Sequence, residues 1–108
     1  MQRKPAQKLV RDKIPALIAA DGRRPKMRRL SGKALARALA DKLAEEHAEF
    51  VAAKDAAHRI EELADIVEVA TALAKCLGRN KAQFGRIIEA KRAVRGGFAK
   101  GYFYLGDG

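Results

Sequence analysis

Apolar residues recur along this chain at helical intervals rather than in alternation. Leu35, Leu39, Leu43 and Phe50 fall in one sector about 80° wide when projected at about 100° per residue. A second set, Ile60, Leu63, Ile66, Val67, Val69, Leu73 and Leu77, covers more than half of a helix circumference. Ser31 stands before the first set as an N-cap residue, predicting a helix from about Gly32 to Lys54. The second set predicts a helix from about Ala57 to Leu77, stopped by Gly78. Asn80 and Gln83 have capping-box spacing and open a further helix to Arg95, which Gly96-Gly97 ends. Upstream, "KLVRDKIPALIAA" (Lys8–Ala20) reads as an extended entry and a short helix, with Asp12 as a candidate cap, Pro15 in the first turn and Asp21-Gly22 as the stop. The expected fold is all-α: a helical hairpin with one more helix at each end, forming a single domain over residues 1–108. The tail "FAKGYFYLGDG" is expected to form a short strand or to pack on a neighbour.

Composition agrees with this and adds little else. The chain has 108 residues, no Trp and three Pro, which suits one mostly helical soluble domain with a modest core. The single Cys76 excludes an internal disulfide framework, and the reducing cytoplasm is the expected compartment. No apolar run approaches a membrane span, and "MQRKPAQKLVRDKIP" lacks the apolar stretch of a signal peptide. The third helix's apolar girth is wider than four short helices can cover, which predicts a homodimer or homotetramer.

Charge changes the picture more. The net charge is +10, yet residues 38–68 are net −6 between flanks of +10 and +6. Seven of the thirteen acids lie in two clusters: Glu45, Glu46 and Glu49, then Glu61, Glu62, Asp65 and Glu68. Glu46 projects between Leu35 and Leu39, and Glu49 lies at that sector's edge. Glu62 projects between Val69 and Leu73, and Asp65 flanks Val69. An ionised carboxylate in such apolar territory is costly unless paired or bound to metal. Basic partners four residues onward are missing; Lys42 and Arg59, on the N-terminal side, can neutralise one acid each at best. Glu46/Glu49 and Glu62/Asp65 each sit three apart, so an antiparallel hairpin can turn both pairs to one volume. Four hard oxygen donors suit Mg²⁺ or Mn²⁺ and not Zn²⁺. The bland alternative pairs these acids with the protein's own surplus of Lys and Arg.

At "KLVRDKIP" (Lys8–Pro15), "EEHAE", "EELADIVEV" and "RGGF" (Arg95–Phe98), the chain resembles the MazG-like, all-α nucleoside triphosphate pyrophosphohydrolases. It is most similar to their small single-domain branch, related to phosphoribosyl-ATP pyrophosphohydrolase. The resemblance implies a four-helix arrangement completed by a second subunit. It implies Mg²⁺ held by Glu46, Glu49, Glu62 and Asp65, with Glu45 and Glu49 as catalytic carboxylates, Glu45 binding a further metal or orienting the attacking water. It also implies cleavage of a nucleoside triphosphate between its α- and β-phosphates, in the manner of a house-cleaning enzyme. Phosphoribosyl-ATP hydrolysis in histidine biosynthesis is the near alternative. Arg11, Lys13, Lys91 and Arg95, from the two basic ends, are the candidate phosphate-binding residues.

Other residues have simpler readings. His47 projects about 100° from Glu46, so a partly exposed side chain is expected rather than a ligand. His58 is expected at the surface and Cys76 in the core. Gly96-Gly97 serves equally as a helix stop or a phosphate cradle. Phe98, Tyr102, Phe103 and Tyr104 are expected to pack in a core or interface. The rival from another class is a nucleic-acid-binding or regulatory helical module built on the basic stretch Arg23–Arg29 and the basic C-terminal third. A third reading keeps the fold and metal without turnover.

Overall fold

The computed structural model describes residues 8–108. Four helices follow one another along these residues: α1 (Ile14–Ala20), α2 (Gly32–Ala52), α3 (Ala56–Cys76) and α4 (Lys81–Arg95). No strand occurs among the described residues, so the chain is all-α.

The local chemistry explains the helix ends. Asp55 caps α3 by accepting from the His58 backbone N–H at 2.8 Å. At α4 the Asn80–Gln83 capping box forms in both directions, at 2.8 and 2.9 Å. Gly96 ends α4 with φ at 78°, a conformation that costs a residue with a Cβ. Ser31 has the extended backbone of an N-cap, but its hydroxyl makes no capping hydrogen bond. Asp12 does not cap α1: Lys13 occupies that position, and Pro15 lies in the first turn. There the missing proline N–H removes one of the donors that a cap would have satisfied.

The packing is concentrated in one pair. A three-residue connection folds α3 back against α2, and these helices pack extensively, whereas α4 touches α3 lightly and α1 packs on no other helix. Among the described residues the buried ones are few: Leu39, Val69 and, most enclosed of the three, Glu46 at 4% exposure. Much of the apolar girth of α3 faces water, with Ile60, Leu63, Val67 and Leu77 all exposed. The chain's accessible surface is 10013 Å², against about 5,900 Å² for a compact monomer of its mass. Its radius of gyration, 17.7 Å, exceeds the roughly 13 Å of a closed domain of this length.

The tail beyond Arg95 is irregular, and its aromatic side chains lie open to solvent. Cys76, expected in the core, is exposed instead, in the last turn of α3.

Candidate metal centre

The hairpin assembles the carboxylates. Glu45, Glu46 and Glu49 occupy adjacent turns of α2, and Glu62 and Asp65 occupy adjacent turns of α3. Two groups form, each with carboxylate oxygens within 4.8 Å of one another: Glu45–Glu46–Glu49 on α2, and Glu46–Glu62–Asp65 across the interface. Glu46 belongs to both. The side chain that projects into the apolar sector of α2 therefore sits at the centre of the cluster.

Burial sets the electrostatics. Glu46 Oε2 and Glu62 Oε2 are sealed from solvent and accept no hydrogen bond. Lys42 supplies partial compensation, its Nζ lying 3.5 Å from Glu46 and 3.6 Å from Glu45. That is not enough to balance the site. Burial, followed by the facing Glu62 carboxyl and the charge of Glu49, pushes the Glu46 carboxyl up to about 7. Glu49 is also raised, by burial first and then by its interaction with Glu62 and the charge of Glu45. A proton can bridge Glu46 and Glu62 when one is neutral; with both ionised, neither buried oxygen has a donor.

The donor set fits a hard divalent cation. Oxygens on one octahedral Mg²⁺ at about 2.1 Å lie roughly 3 to 4 Å apart, so spreads up to 4.8 Å close with small side-chain rotations. The two orphaned carboxylate oxygens are what an oxygen-seeking ion would satisfy. With no sulfur or imidazole in either group, a soft-ligand metal is a poor fit. Glu46, Glu62 and Asp65 could hold the ion between the helices, and Glu45 and Glu49 extend the donor set along α2.

The basic candidates separate. Arg11 reaches the cluster and donates to Asp65 Oδ1. Lys13, Lys91 and Arg95 are exposed and form no ion pair among the described residues. Arg95 instead lines a shallow groove of about 350 Å³ with Gly96, Gly97, Ala99, Lys100 and Tyr102. Arg59 neutralises no acid: its Nε donates to Ala53 O at 3.0 Å, and its guanidinium lies 5.5 Å from the Phe50 ring centre. His47 is exposed as expected. His58 is exposed too, with Nδ1 2.7 Å from Asp55 Oδ2. The Asp55 cap could have been read from a capping residue standing just before the periodic segment. The Arg11–Asp65 pair, 54 positions apart, has no such local signal.

No known family, curated protein or solved structure matches this chain, so the functional reading rests on the residues themselves.

Proposed function

We propose that this protein is a Mg²⁺-dependent nucleotide pyrophosphohydrolase that converts a nucleoside triphosphate and water into a monophosphate and pyrophosphate. The observation that carries this reading is Glu46: a carboxylate 4% exposed, with one oxygen lacking a donor, facing Glu62 and Asp65. Glu46, Glu62 and Asp65 would hold the ion. When bound, Mg²⁺ neutralises polyphosphate charge, polarises the phosphorus centre and lowers the pKa of a water. Glu49, its carboxyl raised by burial and its neighbours and so a stronger base than an ordinary carboxylate, is suited to take a proton from the attacking water. Glu45 orients the nucleophile, while Arg11, Lys13, Lys91 and Arg95 bind phosphate oxygens. Phosphoryl transfer asks for positioning and charge neutralisation more than for a covalent nucleophile, and this residue set supplies those.

The protein acts as a homodimer or homotetramer on this reading. Support comes from the excess surface and from the exposed apolar residues of α3 and the tail, which a soluble monomer rarely leaves in water. A nucleotide-pool substrate and a lone thiol suit the cytoplasm.

The test is pyrophosphate release from a panel of nucleoside triphosphates, with phosphoribosyl-ATP included, in Mg²⁺ and in EDTA. Release that needs metal and falls about a hundredfold or more in Glu46→Gln and Glu62→Gln is the expected result. A second reading draws on the exposure of Arg23, Arg24, Lys26, Arg28 and Arg29. It makes the chain a nucleic-acid-binding module, with salt-dependent binding that is indifferent to both substitutions. Absence of release from every nucleotide, together with such binding, would replace the first reading by the second.

A further inference from the structure

Arg11 does more than sit near the acidic cluster. Its Nη2 donates to Asp65 Oδ1, and among the described residues no other hydrogen bond joins segments more than six positions apart. Because α1 packs on no other helix, this ion pair is the main polar tie between the N-terminal segment and the hairpin. Guanidinium cannot deprotonate to make room for another cation. A divalent ion shared with Glu46 and Glu62 must therefore take Asp65 against the charge already seated there, and two cations at one carboxylate repel.

We propose that Arg11 is the resident counter-ion of the metal centre, holding Asp65 in the metal-free protein and yielding it when a divalent cation binds. The inference rests on reading Glu46, Glu62 and Asp65 as metal ligands. Metal occupancy and docking of residues 8–13 then oppose each other, and each weakens the other by the same factor. The latch is light, because the side chains of Arg11 and Asp65 are 54% and 38% exposed. Exposed ion pairs of this kind correspond to about a two- to fivefold effect on an equilibrium.

The experiment is Mn²⁺ binding to the full chain, followed by the electron paramagnetic resonance signal of the free ion. It compares wild type with Arg11→Gln, Lys8→Gln and Glu62→Gln. Arg11→Gln is expected to bind Mn²⁺ about two- to fivefold tighter, and Lys8→Gln, which removes a nearby charge that has no partner, to bind as wild type does. Saturating Mg²⁺ is expected to lower the backbone NMR order parameters of residues 8–13 in the wild-type protein. Unchanged or weaker binding in Arg11→Gln, equal tightening in Lys8→Gln, or order parameters indifferent to Mg²⁺ would each overturn the proposal while leaving the metal site standing. Binding that persists undiminished in Glu62→Gln, or that is absent from wild type and Arg11→Gln alike, overturns the metal site and this proposal together.

Discussion

Glu46 and Glu62 confront each other across the α2–α3 interface, each with one carboxylate oxygen sealed from solvent and without a donor. One proton shared between them relieves the conflict, which is part of why the Glu46 carboxyl is pushed up to about 7. On the proposed reading, a proton or a cation can satisfy the hairpin at this point.

The first consequence is a pH dependence opposite to that of a salt-bridged acid. Glu46 takes up its proton near pH 7 when folded and near 4.5 when unfolded. The folded state therefore holds the extra proton between these values. Its stability is full below the lower value and falls as pH rises to the upper one, by on the order of 3 kcal/mol. Urea denaturation in EDTA at pH 5, 6, 7 and 8 checks this. Glu46→Gln is expected to flatten the trend and to exceed wild type in stability at pH 8 while losing metal. Equal slopes in the two proteins would remove Glu46 as the cause.

Metal binding should expel that proton. Near pH 7 Glu46 is about half protonated, so the ion takes up the carboxylate and releases a fraction of a proton to solution. Calorimetric titration with Mg²⁺ in two buffers of different ionisation enthalpy measures the number. It is expected to grow towards pH 6 and to vanish above pH 8, with affinity weakening as pH falls. Zero release at pH 6.5 would show that Glu46 is already ionised.

Glu49 calls for a kinetic test. If it takes the proton from the attacking water, kcat rises with pH through the raised Glu49 value. Glu49→Gln should erase that limb and lower kcat by about a hundredfold or more. A loss confined to Mg²⁺ affinity, with kcat restored at saturating metal, would reassign Glu49 to ion binding alone.

Helix α4 offers a test of the fold that is independent of the chemistry. Its reciprocal cap is formed by Asn80 and Gln83, while its packing on α3 is slight. Asn80→Ala is expected to cost about 1 kcal/mol of α4 stability. That corresponds to roughly fivefold faster amide exchange in α4 with little change in α2 and α3, since weakly packed elements open on their own. Uniform acceleration across all three helices would show that α4 is part of the hairpin's cooperative unit.

Much of this architecture was legible beforehand, and the reason is local. Helix α3 was expected over 57–77 and found over 56–76, because apolar periodicity and glycine act within a turn or two of themselves. The intrusion of Glu46 into an apolar sector pointed to the most buried charge in the described chain before any packing was known. What stayed hidden depends on contacts between distant segments. Nothing near Arg11 marks Asp65 as its partner, and nothing near Cys76 tells whether its side of α3 is covered. Arg59 had the right spacing to neutralise an acid, yet it turned to the Ala53 carbonyl and the Phe50 ring. A long side chain at a helix start selects among several neighbours, and spacing alone does not rank them.

The three-residue connection between α2 and α3 has a meaning for how the site comes into being. Every interhelical carboxylate contact joins residues within the twenty-residue span from Glu46 to Asp65, so little loop-closure entropy opposes their meeting. Low contact order of this kind belongs to chains that fold in microseconds to milliseconds. The acidic centre therefore assembles early, as a self-contained hairpin, and the basic ends arrive at a charge that is already in place.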